Sequence, residues 1–169
     1  SVFGPLGAAI ASGLLFGLNF EELVWAIGIG ATSASGLRVN FGSMAKQYHA
    51  GQGARHGVEA SLLAKGGMTA SSNVFEGADG FLQLFSGKSL PRSQMQFGEP
   101  WDILSPGLVF KKYPCCSGSH PAIDCILEMK KKWGMTTENV DQIKVGVSLL
   151  GPKELVCHNP ATASEAKFS

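Results

Sequence analysis

The sequence predicts a mainly α protein: a helical first hundred residues, then a shorter strand–helix–strand remainder. Three observations carry that expectation. Residues 3–65 are Ala- and Gly-rich apolar text broken by helix stop and start signals. Residues 87–107 are rich in Pro, Gly, Ser and Gln, as a connection between domains would be. Beyond them an amphipathic helical stretch is flanked by two short alternating runs.

The first helix is expected over residues 3–17, closed near Gly17. Its apolar start carries Pro5 and four glycines, has no basic leader, and meets Asn19, Glu21 and Glu22, so a buried core helix is expected rather than a membrane span. Asn19 reads as the N-cap of the second helix, with Glu21 and Glu22 in the first turn where the dipole favours carboxylates. That helix is apolar almost all round (Leu23, Trp25, Ala26, Ile27, Ile29) and dissolves over residues 33–43. A third helix is expected from about His49 to Lys65, with Lys46 in the loop before it and Gly66-Gly67 as its stop. Ala54, Val58 and Leu62, with Ser61, share one of its faces. A short helix follows over 78–86.

In the second part "GLVFKKYP" reads as a strand halted by Pro114. "HPAIDCILEMKKKWG" is an amphipathic helix with Lys130 to Lys132 in its last turn. Thr137 and Asn139 mark a turn, and "QIKVGVSLLG" alternates as a strand with Ile143, Val145 and Val147 on one face. The domain boundary is therefore expected near residue 105, giving 1–105 and 106–169.

Charge narrows the function. The chain carries 14 Lys and Arg against 13 Asp and Glu, a net charge of +1, so no basic excess points to nucleic acid. Four cysteines, two adjacent, do not resemble a secreted disulfide framework, and a reducing cytoplasmic setting is expected. Cys115, Cys116, His120 and Cys125 lack the C-x2–4-C spacing of a zinc site, so no metal is expected and the cysteines read as packing thiols.

The remaining polar candidates are lysines, histidines and one arginine. Lys111 and Lys112 alternate along a strand, so one faces a cleft or both are solvated. Lys46 and His49, just ahead of a helix N-terminus, suit a carboxylate that exchanges a proton; a surface lysine and a capping histidine are the plainer alternative. His120 opens a helix at Pro121, a setting that suits a proton acceptor. His56 reads as packing or surface, and Arg38 as a carboxylate clamp or a surface group.

Five strings, in order, resemble successive blocks of the MmgE/PrpD family: "GPLGAAIASGLLFGLNFEELVWAIGIGATSASGL", "GSMAKQYHAGQGARHGVEASLLAKGGMT", "FEGADGFLQLF", "FKKYPCCSGSHPAID" and "PATASEAKFS". The resemblance spans essentially the whole chain. It implies part of a large all-helical domain followed by the start of a smaller α+β lid domain, with the active site in a cleft between them. Family members include 2-methylcitrate dehydratase, cis-aconitate decarboxylase and iminodisuccinate epimerase. They act on small polycarboxylic acids without an obligatory cofactor, usually as homodimers.

The resemblance implies catalytic roles for Lys46, His49, Lys111 and His120, and substrate contacts for Arg38 and Cys116. Lys46 and His49 match the K-P-x-H loop, Lys111 the lysine before Y/F-P, and His120 the C-x-x-x-H-P histidine. Cys116 falls where decarboxylase-like members carry a histidine, Gln47 replaces a proline, and Ser117 stands where many relatives have arginine. The expected reaction is therefore dehydration of a 2-methylcitrate-like hydroxy acid by α-proton abstraction, in propionate metabolism. Epimerisation or isomerisation of a dicarboxylate, or carboxylate binding without catalysis, are the alternatives. The chain is expected to be an internal piece of a longer protein, inactive alone.

Overall fold

A computed structural model of the chain describes residues 2–87 and 98–169. Much of the connection read over 87–107 thus lies outside the described residues. The described chain is mainly α, with seven α-helices joined by short 3₁₀ turns and no strand among the described residues. It divides into two units: Ser1–Arg38 with Ala45–Trp101, and Val39–Met44 with Asp102–Ser169.

The first unit is built on α1 (Gly4–Leu15), α2 (Phe20–Thr32) and α3 (Ala45–Lys65), each packed on the other two, followed by the short α4 (Phe81–Ser86). Local chemistry sets their ends. Asn19 accepts from the Glu22 N–H at 3.0 Å while Glu22 Oε2 accepts from the Asn19 N–H at 2.8 Å, a reciprocal capping box that opens α2. α1 closes at Gly17 (φ +70°), where the Leu18 N–H donates to Gly13 O and the Gly17 N–H to Leu14 O. α3 closes in the same way at Gly67, through Met68 to Leu63 O and Gly67 to Ala64 O. Lys65 Nζ reaches back to Phe16 O at 3.0 Å, a cation on the carbonyl end of α1.

α3 begins at Ala45 rather than near His49, so Lys46 sits in its first turn and not in a loop. Its packed face also differs from expectation. Gly53, Gly57, Ala60, Ser61 and Ala64 are buried, whereas Val58 and Leu62 are exposed. The reason is the closeness of α1. A Cβ at Gly57 would overlap Ala8 Cβ and lie 2.6 Å from Ala9 N. Only small residues permit that spacing. Ser12 and Ser61, both buried, satisfy each other at 2.8 Å across the same contact, and Ser61 Oγ also donates to Ala9 O at 2.9 Å. Ala9, Ala26, Ala60 and Ala64 form the core at this junction, with Leu18, Trp25 and Ile29 packed on it. α2 approaches α1 at Gly30, where a Cβ would stand 3.1 Å from Pro5 O. A second cluster, Leu6, Ala31 and Phe81, gathers Phe3, Phe75 and Phe85 with ring centroids 4.7–6.0 Å from Phe81.

The second unit contains α5 (His120–Trp133), α6 (Gly151–Glu154) and α7 (Ala163–Ala166). α5 ends at Gly134 (φ +62°) with Lys130, Lys131 and Lys132 in its last turn, as its sequence indicates. The two stretches read as strands, 107–114 and 142–151, form no strand, and Gly151 at the end of the second opens α6 instead. A strand exists only where a neighbour completes its ladder. Here Val109 and Phe110 are 90% and 92% exposed, and Ile143, Val145 and Val147 are also open to solvent. What the described unit does hold together is its two ends: Cys116 N–H donates to Lys167 O, Cys157 N–H donates to Phe168 O, and the Phe41 and Phe168 rings lie 5.2 Å apart.

These contacts give a stability test. Gly57→Ala should destabilise the first unit by about 1–3 kcal/mol through overpacking against α1. Gly51→Ala, on the same helix with nothing within 4 Å of the added Cβ, should instead stabilise it by about 0.5–1 kcal/mol. Denaturant midpoints of the two variants should move in opposite directions from the parent.

Candidate functional site

α3 delivers one group of polar side chains. His49 and His56 are seven residues apart, two helical turns, so they share a stripe with Gln52 and Gly53 between them. These four and Tyr48 line a cavity of about 80 Å³, closed by Pro5 of α1 and by Ser33 and Ser35 after α2. Gln52 Nε2 donates to Tyr48 Oη at 2.6 Å and fixes the rim. Both histidines are half-buried. Lys46 is half-buried one turn before His49, outside the cavity wall. Arg38 opens an exposed 3₁₀ turn, Arg38–Asn40. A broader concavity of about 380 Å³ beside Phe81 contains none of the expected site residues.

The second unit holds the other expected residues. Lys111 is exposed and donates to Cys115 O at 3.0 Å across the turn at Pro114. Cys116 is half-buried, and its N–H is committed to Lys167 O. His120 is half-buried at the start of α5, and its Nε2 is buried with no hydrogen-bond partner in the structure. The Tyr113 ring stands edge-on to the His120 ring, perpendicular, with centroids 5.2 Å apart. Tyr113 Oη donates to Asp124 Oδ1 at 2.5 Å, and Lys112 Nζ donates to the same oxygen at 2.5 Å. Among the described residues no three His, Cys, Asp or Glu side chains gather as a metal site would require.

The Lys112–Asp124–Tyr113 cluster shifts all three groups. The Lys112 hydrogen bond, and then that of Tyr113, holds the Asp124 carboxyl below its usual range. The Asp124 carboxylate raises the Lys112 ammonium, and its hydrogen bond raises the Tyr113 phenol. Tyr113 and Asp124 were not singled out from the sequence; Lys112 was weighed there beside Lys111, and His56 was read as packing or surface. Two spacings point to them: His120 and Asp124 at i, i+4, and His49 and His56 at i, i+7.

Residues 1–94 match the model of the MmgE/PrpD N-terminal domain. The chain belongs to the MmgE/PrpD family. The matched span contains Lys46, His49 and His56 and stops before Lys111. Among curated relatives, the cis-aconitate decarboxylase of Aspergillus terreus (strain NIH 2624 / FGSC A1156) is 31% identical over 142 residues, covering 79% of this chain and 29% of the relative. The cis-aconitate decarboxylase of Homo sapiens is 28% identical over 134 residues, covering 78% and 27%. That of Mus musculus is 26% identical over 131 residues, with the same coverage. The chain thus spans less than a third of the length of the curated relatives it matches. No helix among the described residues of this MmgE/PrpD chain is long and apolar enough to cross a membrane.

The shifted cluster predicts a pH window for stability. Asp124, lowered, stabilises above its ordinary value of 3.8 and loses that contribution as pH falls through its folded value. Tyr113 and Lys112, raised from 10.0 and 10.5, stabilise below those values and lose the contribution as pH rises through their folded ones. The stability difference between the parent and Asp124→Asn should therefore be greatest between those limits and shrink on both sides. Unfolding midpoints taken across pH measure it. Glu138, held down to about 2 by the Thr136 and Thr137 hydroxyls, titrates in both proteins and cancels from the difference. Added salt should narrow the gap, because the Lys112 side chain is 65% exposed.

Proposed function

We propose that the whole protein is a lyase acting on a small polycarboxylic acid, and that it dehydrates a hydroxy acid of the 2-methylcitrate type. The observation that most supports this reading is a histidine pair, His49 and His56, lining one cavity in a chain of the MmgE/PrpD family. In the proposed reaction a base takes the proton α to a carboxylate. The electron pair forms the new double bond, and the hydroxyl leaves as water after protonation by an acid. Positive charge stabilises the intermediate carboxylate dianion. His49 and His120 are the proposed proton-transfer groups, Lys46 and Lys111 the proposed carboxylate holders, and Arg38 and Cys116 further substrate contacts. The proposal includes a homodimer, cytoplasmic and without a cofactor, with this helical chain as part of a larger helical domain and the start of a lid.

Decarboxylation is the second reading. It is favoured by the names of the curated relatives, which are cis-aconitate decarboxylases. Against it stands Cys116, a thiol at the place where the family resemblance gives decarboxylases a histidine.

The two separate by product. Full-length protein supplied with a citrate-like hydroxy acid should generate new double-bond absorbance without releasing carbon dioxide. Carbon dioxide from cis-aconitate would establish the second reading. Deuterium exchange at the α carbon with no water lost would mean an epimerase. Binding without any of these would mean a carboxylate-binding protein. In the active full-length protein, Lys46→Ala and Lys111→Ala should each lower kcat/KM by roughly a hundredfold or more. Near-parental kinetics in both would remove the assigned roles. The 169-residue chain by itself should show no turnover.

A further inference from the structure

We propose that Tyr113 and Asp124 are positioning residues that fix the imidazole of His120, with Lys112 as their anchor. The inference rests on the reading of His120 as a proton-transfer group. Its basis is a closed circuit of contacts. His120 and Asp124 lie one turn apart on α5, so their separation is set by the helix. Tyr113, on the preceding segment, touches both: its ring meets the His120 ring edge-on at 5.2 Å, and its hydroxyl donates to Asp124 at 2.5 Å. The circuit runs from His120 through Tyr113 to Asp124 and returns along α5. No member can turn without breaking a contact.

Two features show that the circuit serves the imidazole rather than the loop alone. The perpendicular, 90° geometry between the rings selects one imidazole plane, because an aromatic edge is attracted to a π face and not to another edge. One ring nitrogen, Nε2, is buried and makes no hydrogen bond, so the ring orientation is not set by a polar contact at that atom. The wall supplies what that nitrogen does not. Lys112 also donates to Asp124 at 2.5 Å and lies 5.4 Å from the Tyr113 ring centroid, so the carboxylate is held from two sides and the phenol from three. Lys111, one residue earlier, points elsewhere and bonds Cys115 O.

The experiment uses the full-length protein and three variants. Tyr113→Phe keeps the ring and removes the hydroxyl. Asp124→Asn removes the charge, and Asp124→Glu restores it. A misaligned proton-transfer group costs rate rather than affinity, so Tyr113→Phe and Asp124→Asn should each lower kcat by roughly tenfold to a hundredfold with KM within about twofold. Asp124→Glu should recover part of the loss. Isotope-labelled histidine gives an independent readout. The His120 ring resonances should shift and broaden in Tyr113→Phe while those of His49 stay in place. Parental kcat in both variants, or a rise in KM alone, overturns the proposal. If the parent turns over no polycarboxylate, the lyase reading fails. The resonances then decide alone: an unshifted, equally sharp His120 ring in both variants overturns the positioning role.

Discussion

The first unit depends on one close contact, the approach of α1 to α3 across Gly57. At that spacing a single methyl group at position 57 would strike the Ala8–Ala9 backbone. Everything at the interface follows from this limit. The residues facing α1 are glycine, alanine and serine, and the bulky residues of α3 are turned outward. The Ser12–Ser61 pair is the one polar feature tolerated there, because each hydroxyl finds the other or a carbonyl. The cavity inherits its walls from the same arrangement. Pro5 is one turn before Ala9 on α1, while His49 and His56 are on the same α3 that carries Gly57. Separating the two helices would move the wall away from the histidines.

How much of this was legible follows from the range of each interaction. Asn19, Gly17, Gly67 and Gly134 act within a few residues of themselves, and the helix ends they set were readable. The start of α3 was not, because "GSMAKQYH" carries no apolar period to announce it. The buried face of α3 was misread for a related reason. Periodicity arguments weigh large apolar residues, which selected Val58 and Leu62, whereas the contact selects for smallness. The strand readings failed on partnership. An alternating pattern says what a segment would do beside a neighbour, and no described neighbour pairs with either segment.

The site divides along the same line. Residue types that do proton chemistry, His49 and His120, stood out by their setting. His56 was set aside because a histidine within a helix has no local mark of function; its i, i+7 spacing from His49 puts the two on one stripe, and the cavity brings them to one site. The choice between Lys111 and Lys112 was beyond the sequence. Neighbours on an extended run point apart, but which one meets Asp124 depends on the turn at Pro114 and on where α5 begins.

That distinction changes how the second unit's chemistry is read. Asp124 sits where a general base would be sought, one turn from a histidine. Yet a carboxylate bonded by both an ammonium and a phenol, and held below its usual range, is a poor proton acceptor. The same bonds keep Lys112 charged and Tyr113 protonated well beyond neutral pH, so neither gives up a proton readily. All three groups keep their ordinary charge states at neutral pH, the hydrogen bonds reinforcing them, and act as scaffold. Of the ionisable groups in that cluster, only His120 has a nitrogen uncommitted to another residue. The cluster therefore leaves one buried nitrogen, His120 Nε2, without a partner, while the bonds of Lys112 and Tyr113 to Asp124 brace the tyrosine whose ring stands against that imidazole.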